Sequence, residues 1–123
     1  MELLLEEKGP VAPPPILGQP YQAVAEVVMK WPGVIAATHW HLYRRDEVDG
    51  VDFYVGEREL GHIHLNGHVH LATNQQLHDT FIGNGWAETF PIGGSYAMWT
   101  LFRIRHESQV DLAIRLFRLN YER

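Results

Sequence analysis

Residues 61–71 read Gly61-His62-Ile63-His64-Leu65-Asn66-Gly67-His68-Val69-His70-Leu71. Histidine alternates with an aliphatic residue on both sides of Asn-Gly, and period-two alternation marks a strand with one apolar and one polar face. The segment is therefore a β-hairpin, and its register decides what surface it makes. A two-residue Asn66-Gly67 loop, which Asn-Gly favours as a type I′ turn, pairs 65 with 68 and 63 with 70. Both faces are then mixed. A three-residue loop, Leu65-Asn66-Gly67 with Gly67 left-handed, pairs 64 with 68 and 62 with 70. All four histidines then share one face, with Ile63, Val69 and Leu71 on the other. The clean partition favours this second register, because a slip of one residue turns every side chain over.

The flanking sequence supplies the layers around the hairpin. Residues 9–20 carry four prolines and two glycines before Pro20, which forbids a helix or central strand. They form an extended arm, so the organisation expected is a Pro-rich arm at 1–19 and a single domain at 20–123. Pro20 suits a first helical position, Val24, Val27, Val28 and Trp31 recur at helical spacing, and Pro32-Gly33 stops that helix. Val34 to Tyr43, Val51 to Val55, Glu59 to Leu65 and His68 to Ala72 read as strands. Thr73, with Gln76 three residues on, has the form of a capping box for a helix carrying Leu77, Phe81 and Ile82. Trp86 to Pro91 and Tyr96 to Arg105 are further strands, the second apolar on both faces through Phe102 and so a central strand. Ser108 caps a closing helix whose buried stripe is Val110, Ala113, Ile114, Phe117 and Tyr121. Short turns imply antiparallel pairing. The fold class is α+β: a mostly antiparallel sheet of about six strands with helices packed on one face, in two layers.

Composition narrows the function. The chain has 123 residues, 46% hydrophobic and 20% charged, as one globular domain does. No apolar run reaches the ~18 residues of a membrane span. The net charge is −5, with the basic excess confined to residues 96–123. Nucleic acid, whose phosphates need neutralising, is a poor partner for such a chain. The absence of cysteine excludes a disulfide scaffold, a thiol nucleophile and a thiolate metal site. It fits a reducing cytoplasm, the expected location, as does an acidic start too short in apolar residues for a secretory signal.

The eight histidines are the feature out of proportion. Neutral imidazole suits zinc or another divalent transition metal, and three nitrogens with an open position is a catalytic zinc pattern. The candidate ligands are His62, His64 and His70. His68, His39 and His41 are extras, the last two strand surface by default and substrate contacts if the site reaches them. Glu59 and Glu88 are candidate proton acceptors, although parity puts Glu59 with Ile63 unless Gly61 bulges the strand. Trp86 is a candidate pocket wall. The competing reading is a polar pocket without metal. Gly56, then five intervening residues and His62-Ile63-His64, matches the opening of the cupin metal motif, but the helices fit that nearly all-strand fold poorly.

Glu59-x-x-His62-x-His64, then His70-Leu71, then Gly85-Trp86-Ala87-Glu88, resembles the luciferase-like domain family. The likeness runs from about Trp31 through the ending Arg115-Leu116-Phe117-Arg118-Leu119-Asn120-Tyr121. The resemblance implies Glu59, His62, His64, His70, Trp86 and Glu88 as the matching polar positions, and it does not imply light emission. The hairpin loop is one residue shorter than the family pattern, and His68 is additional. Two functions follow as expectations. One is a divalent-metal-dependent hydrolase acting on a small molecule. The other is a metal-free ligand-binding or interaction module, for which a second copy of the chain is a candidate partner.

Overall fold

In the computed structural model, which describes residues 3–123, three α-helices and six strands follow the expected order. Helix α1 (Tyr21–Val28) precedes strands β1 (Val34–Trp40), β2 (Val48–Val55), β3 (Arg58–His64) and β4 (His68–Leu71). Then come α2 (Gln75–Gly83), β5 (Glu88–Thr89), β6 (Thr100–Arg103) and α3 (Val110–Glu122). The sheet order is β1-β2-β3-β4-β6-β5, every neighbouring pair antiparallel. The chain is thus the α+β sheet-and-helix domain that its pattern of elements predicts.

The hairpin adopts the three-residue loop. His62 pairs with His70 and Ile63 with Val69, while the Gly67 amide closes the turn on the His64 carbonyl at 3.0 Å. Gly67 is left-handed, with φ +89°, as that loop requires. Parity then separates two faces. Val51, Phe53, Ile63, Val69 and Phe102 pack under Val24, Ala25 and Val28 of α1 and Ala113, Leu116 and Phe117 of α3. The Phe53 and Phe117 rings meet edge to face at 5.4 Å. These side chains form the core, and burying each large one contributes about 1.5–3 kcal/mol. The histidines occupy the opposite face.

Several boundaries differ from the pattern-based reading. β1 stops at Trp40, not Tyr43, because the chain bulges at His39/Trp40 and turns, with the His41 amide bonded to Glu47 O. Only Glu88–Thr89 of the expected Trp86–Pro91 strand is paired, and β6 begins at Thr100. A 3-10 turn at Gly94–Tyr96 and the turn that follows at Ala97 and Met98 replace the first residues of that expected strand. The α2 cap is Asn74, whose side chain accepts from the Leu77 amide, while the Thr73 hydroxyl is buried and donates to Met98 O. A 3-10 turn at Glu107–Gln109 delays α3 to Val110, so Ser108 is not its cap. The buried face of α3 also differs: Leu116 and Asn120 are buried, while Val110, Ile114 and Tyr121 lie at its margin. Buried Asn120 donates from Nδ2 to Leu60 O and Ala72 O, tying α3 to β3 and to the end of β4.

The proline arm lies along β1. Ala12 O accepts from the Thr38 amide, Pro13 O from the Thr38 hydroxyl, and Pro10 O from Trp40 Nε1. An edge strand that would otherwise offer free backbone groups is thereby covered. The arm also leads a short 3-10 turn, Leu5–Lys8, across the histidine face.

Candidate metal centre

Ala37, Asp52, His62, His70, Leu101 and Glu88 are successive partners across the six strands, and directly opposed residues share a face. In the next row His39 and His64 both pair with Gly50. Glycine places no side chain between them, and their rings approach to 5.0 Å across a whole strand. His39 also lies flat on His62, centroids 3.9 Å apart and planes within 12°.

Glu59 joins the same face through a bulge. Phe53 pairs with Gly61 and Tyr54 with Glu59, so Leu60 is the extra residue and parity reverses beyond it. Gly61 has φ +145°, and a Cβ there would collide with the His70 carbonyl oxygen. Only glycine lets the two strands approach so closely at the bulge.

Each of three imidazoles rests its Nδ1 on a carboxylate. His62 Nδ1 lies 3.0 Å from Glu59 Oε2, His64 Nδ1 2.9 Å from Asp49 Oδ2, and His39 Nδ1 2.8 Å from Asp52 Oδ1. A carboxylate can only accept, so Nδ1 carries the proton and Nε2 of a neutral ring keeps its lone pair. The Nε2 atoms of His62 and His64 lie 3.0 and 3.1 Å from His70 Nδ1. Ligand atoms of His39, His62 and His64 also lie within 4.8 Å of one another.

The surroundings keep these rings uncharged. Burial, then the unfavourable coulombic effect that His39 and Lys8 exert on a charged ring, holds His62 well below the usual imidazole range. Burial, then the neighbouring His39 ring, lowers His64, partly offset by Asp49. Burial and the adjoining histidines push His70 down to about 3. Glu59 is raised by burial, against the pull of Lys8. Lys8 Nζ sits 2.8 Å from Glu59 Oε1 and 3.3 Å from Asp52 Oδ1. Asp52, Glu59 and His62 could also group around a cation, but the Lys8 ammonium already fills that place. The imidazole group is therefore the one with donors to spare. Asp52 Oδ2 is the single buried side-chain atom without a hydrogen-bond partner among the described residues.

Beside the rings opens a cavity of about 430 Å³. His39, His62, His64, His70 and Glu59 line it, with Trp40, Phe90, Tyr96 and Trp99 as aromatic wall and His41 and Arg45 on the loop after β1. His41 Nδ1 accepts the amides of Tyr43 and Arg44, both at 3.1 Å, which fixes that loop.

Not every expected site residue is here. Trp86 packs on the helix side, against Phe81 and under the Arg115 guanidinium. It does not wall the cavity, because the strand expected to carry it forms only at Glu88. Glu88 is exposed and paired with Arg103 at 3.1 Å, outside the cavity lining. His68 shares the ring face but makes no ring contact with the others, and His41 is a turn residue at the cavity, not a strand neighbour of His39. His39, by default strand surface, is instead part of the cluster. Sequence reasoning missed Asp52, although an aspartate amid Val51-Asp52-Phe53-Tyr54-Val55 is itself a signal. Asp49 and Lys8 carried none.

A two-layer α+β domain whose helix-free sheet face holds a histidine–carboxylate cluster is the class that this fold and site define. The chain belongs to the Luciferase domain family, whose model matches residues 57–120. The matched span holds Glu59, His62, His64 and His70, whereas Lys8, His39, Asp49 and Asp52 lie before it. No curated protein and no solved structure matches the chain. Among the described residues no helix is long and apolar enough to cross a membrane.

Proposed function

We propose that this domain holds one divalent transition-metal ion on His62, His64 and His70, with His39 as a further imidazole, and hydrolyses a small molecule in the adjoining cavity. One observation carries the reading: two Nε2 lone pairs, fixed by carboxylates behind them, converge on a third imidazole nitrogen at 3.0 and 3.1 Å. A neutral His70 has one ring proton and cannot satisfy two lone pairs at Nδ1 with linear hydrogen bonds. A cation can. Bonds of about 2.0–2.1 Å to a tetrahedral ion put ligand nitrogens about 3.3 Å apart, close to the separations found.

Such an ion polarises a carbonyl and brings the pKa of a bound water to about 7. The chain's own contribution is position. Glu59, Asp49 and Asp52 orient His62, His64 and His39, which is how outer carboxylates tune metal ligands. Both oxygens of Glu59 are engaged, one by His62 and one by Lys8, so its role is to hold a ring rather than to accept the substrate's proton. The aromatic wall shields the apolar part of the substrate from bulk water and leaves the reacting bond open at the rings. Water adds across that bond, oxygen to the carbonyl carbon and proton to the departing group.

Metal content of protein purified without an affinity tag tests the proposal. About one ion per chain is expected, with loss of it in separate His62→Ala and His70→Ala variants. Zinc-loaded protein should hydrolyse p-nitrophenyl acetate, and chelation should stop it. A protein that carries no metal, and whose melting temperature zinc leaves unchanged, overturns the reading. Stoichiometric metal without hydrolysis would leave a ligand-binding module.

A further inference from the structure

The identity of the cavity's occupant is written in what surrounds the rings. His70 meets Phe90 edge to face at 4.7 Å, and His62 lies 5.9 Å from Trp99. Phe90, Tyr96 and Trp99 are in turn mutual neighbours, with centroids 5.1 to 6.1 Å apart. One continuous aromatic wall thus begins at the histidines themselves. A molecule reaching the rings must lie along that wall from its reactive group onward. Flat, aromatic surface is what such a wall holds, through offset and edge-to-face contacts.

The charges around the cavity point to the other end of the molecule. Two cationic side chains line it, Lys8 and Arg45. Lys8 is consumed by Glu59 and Asp52. Arg45 forms no ion pair among the described residues, although its neighbour Arg44 is held by Glu47 at 3.5 Å. A guanidinium at the edge of an apolar cavity is a fork for a carboxylate or a similar oxyanion. The volume, about 430 Å³, lies toward the small end of ligand pockets.

We infer that the ligand is a small aromatic anion: one flat ring system along Phe90, Tyr96 and Trp99, its reactive group bonded close to the ring and directed at His62 and His70, its anionic group met by Arg45. The inference deepens the proposed metal site and rests on it for the direction of the reactive group, whereas the aromatic and anionic preferences stand on the cavity alone.

Binding of three probes, cinnamate, cinnamamide and hexanoate, tests it by calorimetry on zinc-loaded and on chelator-treated protein. Cinnamate should bind at least about tenfold more tightly than either of the others, the scale of one charge-assisted hydrogen bond. Arg45→Gln should remove the advantage of cinnamate over cinnamamide, and Phe90→Ala should weaken both aryl probes while leaving hexanoate unchanged. Hexanoate binding as tightly as cinnamate, an R45Q variant with the charge preference intact, or no binding of any probe overturns the assignment. The two readings fail separately. Cinnamate selectivity that persists in metal-free protein supports the ligand class even if the metal reading falls. A zinc-loaded protein indifferent to the three probes sinks the ligand class and leaves the metal site standing.

Discussion

Lys8 Nζ stands 2.8 Å from Glu59 Oε1, although the proline arm, α1 and two strands separate the two residues in sequence. The side chains are 14% and 3% exposed, so this is a buried pair, and the same ammonium reaches Asp52 at 3.3 Å. Removing one partner of a buried pair strands the other charge. Lys8→Met should therefore destabilise the protein by about 3 kcal/mol, read from the urea midpoint at constant m. K8M combined with Glu59→Gln should recover part of that loss, because one of the two stranded carboxylates is gone. Additive losses in the double variant would show that the pair is not coupled.

The carboxylates behind the rings give a second expectation. Asp49→Asn and Glu59→Gln keep the shape of each side chain but weaken the acceptor on His64 Nδ1 and His62 Nδ1. Each should lower zinc affinity by about 10- to 100-fold, as outer-shell changes do, without abolishing binding. Competition titration against a chromophoric chelator measures this. His106→Ala, on the far loop before α3, is the control and should leave the affinity unchanged.

How much of this was legible in the chain follows from the range of each interaction. The hairpin register could be read because eleven consecutive residues contain the whole amphipathic argument. The bulge was half legible: Gly61 announced it, but only pairing with Phe53 and Tyr54 shows that Leu60 is the extra residue and that Glu59 turns inward. Trp86 was misplaced because Trp86 to Pro91 reads as a strand, whereas Trp86 and Ala87 amides bond back to Phe81 O of α2. The α3 face was misread because polar Asn120 looks solvent-facing in the sequence, whereas its Nδ2 bonds Leu60 O and Ala72 O, partners that periodicity inside the helix cannot register. Lys8 could not be found locally at all, since its partners are set by sheet register and by the course of a proline arm.

The neutral rings make a prediction about pH in chelator-treated protein. His62, His64 and His70 have folded pKa values below the unfolded value of about 6.5. Above that value both states are neutral and the stability is complete. As pH falls through it, the unfolded chain takes protons that the folded chain refuses, and stability drops. The slope is up to about 1.4 kcal/mol per pH unit for each ring that stays neutral. The window is the one in which the unfolded imidazoles titrate, about pH 7.5 to 5.5, and Glu59, raised by burial, works against the fall because its folded form gains protons first. The melting temperature should fall across that window, and His70→Asn should flatten the fall by about one proton. An unchanged slope in that variant would remove His70 from the cluster's titration.

The bulge itself can be tested apart from any metal chemistry. Gly61→Ala puts a Cβ against the His70 carbonyl oxygen at φ +145°, a conformation that alanine adopts only under strain. Two adjustments are open to the chain. It can separate β3 from β4, which loses the hydrogen bonds flanking the Gly61–Leu71 pair, among them Ala72 N to Leu60 O, or it can expel the bulge and return Glu59 to the parity of Ile63, inside the apolar core. Both are costly, so G61A should lose about 2–4 kcal/mol. Zinc affinity separates them. Separation of the strands moves His62 from His70 and weakens binding by far more than the E59Q variant does. Expulsion of the bulge removes only the carboxylate behind His62 and matches E59Q. A G61A protein as stable as the parent would mean that the strands do not approach as closely at the bulge as the register requires.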